Sequence, residues 1–153
     1  MNITIASIGR FGKKDVARSL YDEYAGRSRW TITLRELEVK KRLSGPALTE
    51  AEATLLEQAC PQGAKRIVLD ERGKSLPSPK FADQLGRWQD EGINQICLMI
   101  GGADGHAHSI RQSADLLLSL GSMTWPHLLV RGLVAEQVYR AQCILTGHPY
   151  HRV

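Results

Sequence analysis

The sequence predicts an α/β fold built on a largely parallel sheet with helices on its faces. Short apolar runs, several of them β-branched, alternate with stretches of helical periodicity along the chain, the pattern that yields strand–helix–strand units. One run, Ile96–Ile100, is almost continuously apolar, which implies a strand buried on both faces. And 153 residues, at roughly 150 per domain, make a single domain spanning 1–153.

The elements follow in order. Ile3–Ile8 is a buried strand ending at Gly9, and Lys13–Tyr24 is a helix with Val16, Leu20 and Tyr24 at helical spacing. Trp30–Val39 alternates as a second strand and runs into the basic turn Lys40-Lys41-Arg42-Leu-Ser-Gly-Pro. Thr49 with Glu52 matches a capping box and starts the helix Ala51–Ala59. Ile67–Leu69 is a third strand, and Asp70–Pro79 reads as a Gly/Ser/Pro-rich loop. Ser78 caps the next helix, with Pro79 at its first position, through Trp88 to Gly92. After Ile96–Ile100 and Gly101-Gly102-Ala103-Asp104-Gly105 come a helix Ser109–Leu118, a short segment Gly121–Trp125, and a final helix His127–Leu145. In such sheets ligands bind at the carboxyl ends of strands, so the loops after Leu69, Ile100 and about Trp125 are where a site belongs.

Composition narrows the class. Apolar residues make 42% and charged residues 24% of the chain, which excludes a disordered or collagenous protein. The net charge of +4 permits an anionic partner without requiring one. Cys60, Cys97 and Cys143 are odd in number, and no pair has Cys-x-x-Cys spacing, so reduced cysteines in a cytoplasmic protein are expected, with no disulfide or metal cluster. The N-terminus lacks the pattern of a signal peptide. The apolar stretch Leu116–Val130 is under 18 residues and is broken by Gly121, Pro126 and His127, so no membrane span is expected.

The candidate chemistry sits in three places. The glycine loop lets a backbone approach a ligand closely; it is neither G-x-G-x-x-G nor a P-loop, and a plain strand-to-helix turn reads equally well. The tail crowds His148, Tyr150, His151 and Arg152 into the last six residues, combining proton transfer, stacking and anion binding; a docked tail whose aromatics only pack is the bland alternative. Glu136 lies in a mostly apolar helix four residues before Arg140, as an i,i+4 ion pair or as a carboxylate that orders arginines for a substrate. His127 starts that helix, His106 and His108 flank the glycine loop facing solvent, and Asp70 either faces a ligand or caps its loop. Lys13-Lys14, Lys40-Lys41-Arg42 and Lys65-Arg66 are solvated surface unless they converge on one face, when they become a phosphate-binding footprint.

Taken together, Ile67–Asp70, Leu98–Gly105, Trp125-Pro-His127, Leu129-Val-Arg131, Ala135–Ala141 and Gly147-His-Pro-Tyr-His-Arg152 resemble the bacterial large-subunit ribosomal RNA methyltransferases of the H type. These are similar to the other SPOUT enzymes, and the resemblance runs the whole chain. It implies a SPOUT-type α/β fold with a C-terminal trefoil knot, which topology rules alone disfavour. It also implies a homodimer, S-adenosylmethionine as methyl donor, and methylation of N3 of a pseudouridine in large-subunit rRNA within the ribosome. Carried over by position, the cofactor loops are Leu69, Gly101, and Leu120, Gly121, Ser122, Met123, Thr124 and Trp125; Glu136, Tyr150, His151 and Arg152 are the catalytic candidates. The loop departs from the family's usual Gly-Gly-Pro-Glu-Gly at Ala103 and Asp104, and Trp125 stands where an aliphatic residue is common. The alternative is a non-catalytic ribosome- or RNA-binding module, in which the glycine loop is only a turn.

Overall fold

The computed structural model describes residues 1–152. Its five strands form one parallel sheet in the order β2-β1-β4-β3-β5. The strands are β1 (Asn2–Ile8), β2 (Thr31–Leu37), β3 (Lys65–Ser75), β4 (Gln95–Ile100) and β5 (Leu116–Ser119). The helices are α1 (Val16–Arg27), α2 (Gly45–Ala59), α3 (Ser78–Asp90), α4 (His108–Gln112) and α5 (His127–Leu145). None of the described helices is long and apolar enough to cross a membrane.

The continuous apolar runs are explained by burial on both faces. Ile3, Ile5, Ile67, Ile96, Leu98 and Ile100 point to the layer that holds α3 and α5. The alternate residues Ala6, Ile8, Val68, Cys97 and Met99 point to the layer of α2 and α4, against Ala53, Leu56 and Ile110. Because all strands are parallel, every β-to-α connection leaves from one edge of the sheet.

Five local expectations change. Helix α1 starts at Val16 because Asp15 caps it, accepting the Ala17 N–H at 2.9 Å; Lys13 and Lys14 remain in the loop. Helix α2 starts at Gly45, with Ser44 at the N-cap and Pro46 in the first turn. Thr49 is therefore inside the helix, donating its hydroxyl to Pro46 O at 3.0 Å, and Glu52 is a buried side chain rather than the second half of a capping box. Strand β3 continues through most of the expected loop, with a register shift between Leu69 and Lys74. Gly73 is needed there: a Cβ would lie 2.6–2.7 Å from the Leu117 and Leu118 backbone. Pro77, not Ser78, takes the cap position of α3, and the Ser78 hydroxyl instead donates to Gln137 Oε1 at 2.7 Å.

The largest difference is at Ser109–Leu118, which divides into the short α4 and strand β5. Leucines carry no strong strand preference, and what decides is the free edge of β3. The Asp115 N–H donates to Arg66 O at 2.9 Å, its carboxylate accepts from the Arg66 N–H and Lys65 Nζ at 2.8 Å each, and Leu116–Leu118 then pair with Ile67–Leu69.

Candidate active site

At the carboxyl edge, the ends of β3, β4 and β5 and the start of α5 enclose a cavity of about 420 Å³, within the range of small-molecule sites. All eight residues expected to hold the cofactor line it: Leu69, Gly101, and the run Leu120, Gly121, Ser122, Met123, Thr124 and Trp125. They converge because three separate strands end at one place, which no local pattern encodes.

The glycine loop is both a tight turn and a wall. The Gly105 N–H donates to Gly102 O at 3.1 Å, and Gly105 takes φ +77°. A Cβ on Gly101 would meet the Gly105 carbonyl at 3.1 Å, and one on Gly102 would meet Glu52 Oε1 at 2.9 Å. Glu52 thus backs the loop from α2; burial and the neighbouring Asp104 raise its carboxyl pKa. The facing loop is closed by Ser119, whose hydroxyl donates to Gly121 O at 3.0 Å and accepts the Gly121 N–H at 3.2 Å. Trp125 Nε1 reaches back to Leu120 O at 3.4 Å. Met123 is 74% exposed at the rim.

The imidazole expected in solvent at His106 is buried, whereas His108 is exposed as expected. Helix α4 is anchored by Ile110 in the core, and this draws His106 inward beside Asp70 and Arg111 on the cavity wall. Burial lowers the His106 pKa against the opposing pull of Asp70. The Asp70 side chain is itself only 5% exposed; it accepts the Arg72 N–H at 3.0 Å, which makes it a loop cap on the wall of the site.

His127 also lines the cavity, and its pKa is lowered by burial and by Arg131. Arg131, which the sequence marks only through the Leu129-Val-Arg131 motif of the resemblance, is fully buried. Its Nε donates to Ser7 Oγ at 2.8 Å, Nη1 to Glu36 Oε1 at 3.0 Å, and Nη2 to Ile8 O and Gly9 O at 2.8 and 2.9 Å. It fixes α5, and with it His127, to the end of β1.

The catalytic candidates form a second group. Glu136 and Arg140 make the expected i,i+4 pair, Nε to Oε1 at 2.9 Å with a further short contact from Nη2. Tyr150 donates its hydroxyl to Glu136 Oε1 at 2.9 Å, lies 3.1 Å from the Tyr24 hydroxyl, and packs edge-on against Tyr139. Burial and these two hydrogen bonds raise the Tyr150 phenol pKa. His151 Nδ1 lies 3.3 Å from Arg140 Nη1, and Arg152 is exposed. Tyr24 and Arg27 of α1 stack into this group; the sequence marked Tyr24 only as a residue at helical spacing and Arg27 not at all. Tyr150, His151 and Arg152 do not line the large cavity. Glu136 lines an adjoining cavity of about 300 Å³, which shares Leu118, Ser119, Leu120 and Trp125 with it.

A family model described as "Predicted SPOUT methyltransferase" matches residues 1–151. The chain is 53% identical over 152 residues to the ribosomal RNA large subunit methyltransferase H of Rhodospirillum centenum, covering 99% of both chains. It is 48% identical over 152 residues to that of Paramagnetospirillum magneticum, again over 99% of both. It is 47% identical over 159 residues to one from Cereibacter sphaeroides, over the full length of both. Among solved structures, Archaeoglobus fulgidus Nep1 bound to S-adenosylhomocysteine matches with a TM-score of 0.44 at 11% identity, over 82% of this chain and 70% of that one.

Proposed function

This chain belongs to the SPOUT methyltransferase family, and on that premise we propose that it methylates N3 of a pseudouridine in large-subunit (23S) ribosomal RNA. The donor is S-adenosylmethionine. The observation that carries the reading is the convergence of Leu69, Gly101 and Leu120–Trp125 on one cavity. Its walls fit the donor: Leu69, Ile100, Leu118, Leu120 and Trp125 supply apolar surface for an adenine, and the glycine loop exposes backbone groups to polar atoms. When bound, the donor supplies a methyl group made electrophilic by a sulfonium.

The remaining work falls to the chain. N3 carries an imide proton that must leave as the nitrogen becomes a nucleophile. The path along which it leaves is the tail cluster of Tyr150, Glu136 and His151, in which the Glu136 carboxylate and the His151 imidazole are the groups able to take a proton; Arg140, which keeps its own proton, holds both of them, with His127 supporting from the cavity wall. Arg152, exposed at the end of this path, steadies the anionic base or a phosphate. Much of the rate comes from holding base and donor in line. Tyr150, His151 and Arg152 do not line the cavity of their own chain, which favours a composite site in a homodimer, where the tail of one protomer completes the partner's cavity. Residues 1–153 then act as one cytoplasmic domain on the assembled ribosome. A C-terminal trefoil knot belongs to the same reading.

The test incubates the protein with labelled S-adenosylmethionine and ribosomes from a strain lacking the gene, then maps the label. Label at N3 of one pseudouridine in large-subunit rRNA is expected. Cofactor binding without rRNA label would overturn the substrate assignment, and absence of both would leave a ribosome-binding module.

A further inference from the structure

The basic runs of the sequence divide between the two edges of the sheet. Lys65 and Arg66 start β3 at the amino edge, where Lys65 is paired with Asp115 at 2.8 Å. The loops after β1 and β2 leave from the carboxyl edge and are neighbours: the Gly9 N–H donates to Leu37 O at 2.7 Å, and Arg10 lies 3.5 Å from Glu38. These two loops, residues 9–15 and 38–44, carry six basic side chains, Arg10, Lys13, Lys14, Lys40, Lys41 and Arg42, against Asp15 and Glu38. The rest of the chain is electrically balanced, so the whole net charge of +4 resides in these loops. All six basic side chains are exposed, and among the described residues Lys13, Lys14, Lys40, Lys41 and Arg42 make no ion pair.

The patch is built onto the site. The Phe11 N–H donates to Glu36 Oε1 at 2.6 Å, and the Phe11 ring lies under the Arg131 guanidinium at 4.7 Å. Arg131 holds Ile8 O and Gly9 O, so the loop base is fixed while its tip, Gly12–Lys14, is exposed. Gly9 takes φ +94°, and a Cβ there would lie 3.3 Å from Nε2 of the cavity residue His127. The base of the basic loop therefore abuts the wall of the cofactor cavity.

We propose that the β1–α1 and β2–α2 loops form the phosphate-binding footprint that docks the RNA backbone beside the methyl-transfer cavity, with Arg131 as the positioning residue that holds the first loop in register with it. The proposal rests on the rRNA methyltransferase reading. Phosphate contacts fix register rather than read sequence, which suits a small enzyme whose target base must enter a cavity. Each lost phosphate contact flattens the logarithmic salt dependence by about 0.7–0.9 and weakens binding about five- to eightfold near 0.1 M salt.

The test compares Lys13→Gln/Lys14→Gln with Lys65→Gln/Arg66→Gln, which removes the same charge from the opposite edge. Large ribosomal subunits lacking the modification are the substrate. Their binding is also measured directly, so the footprint is tested even if no methyl transfer occurs. The first variant should raise KM and Kd for the subunits at least tenfold and flatten the salt slope by more than one. Its kcat and its affinity for S-adenosylmethionine should stay within about twofold. Unchanged KM, Kd and slope, or equal losses in both variants, would overturn the footprint. Absent transfer by the unaltered protein would instead strike the functional reading.

Discussion

Replacing Arg131 by Met retains most of the apolar stem and removes a fully buried guanidinium. The lost partners are Ser7 Oγ, Glu36 Oε1 and the carbonyls of Ile8 and Gly9, all at 2.8–3.0 Å. Removing one member of a buried ion pair costs about 3–5 kcal/mol, chiefly because the other is left stranded. Here water partly relieves the loss, since the Glu36 side chain is 26% exposed and also accepts the Phe11 N–H. The expectation is therefore about 3 kcal/mol, a large share of the roughly 5–15 kcal/mol typical of a domain, or a fall of roughly 6–12 °C in Tm at about 2–4 °C per kcal/mol. Urea unfolding followed by tryptophan fluorescence and far-ultraviolet circular dichroism, at fixed protein concentration, measures it. Adding Glu36→Gln removes the stranded charge and should recover about 1 kcal/mol or more. A loss below about 1 kcal/mol in the single variant, or no recovery in the double, would refute the view that Arg131 is the pin between α5 and the end of β1.

Three further outcomes follow from the site. Gly102→Ala puts a methyl 2.9 Å from the buried Glu52 carboxylate; a destabilisation of about 1–3 kcal/mol and a severalfold loss of S-adenosylmethionine affinity by calorimetry are expected, and wild-type values would show that the loop yields freely. Removing residues 150–153, the last of which lies outside the described residues, should abolish methyl transfer while sparing cofactor binding; turnover by the truncated protein would exclude the tail from the chemistry. Burial lowers the His106 pKa below the unfolded value of about 6.5, so its contribution is complete above that pH and is lost as pH falls through the folded pKa. His106→Leu should accordingly flatten the decline in stability below about pH 6.5, leaving the share from His127, whose pKa is also lowered; an unchanged slope would place the acid sensitivity elsewhere.

Much of this protein is determined by its sequence alone. The continuous apolar run of β4 dictates a sheet covered on both faces, the short apolar segment of β1 marks a buried strand, and helix α5 begins at His127 and ends at Leu145, as expected. The i,i+4 pair of Glu136 and Arg140 is equally local, because one helical turn sets its geometry. The loops that line the cavity were legible from the strand ends alone, but the eight cofactor residues among its lining only through the whole-chain resemblance, since glycine spacing by itself describes a turn as well as a binding loop. Tertiary structure decided the rest. Leu116–Ser119 became a strand because β3 offered an edge, Glu52 became the backing of the glycine loop because α2 began earlier at Gly45, and His106 was buried because Ile110 pulled α4 onto the core. The basic runs at Lys13 and Lys40 are 27 residues apart in sequence and meet because β1 and β2 run parallel and end together. Each of these outcomes depends on which distant backbone or carboxylate arrives alongside, and hydrophobic periodicity, being a property of neighbours in the chain, carries no record of it.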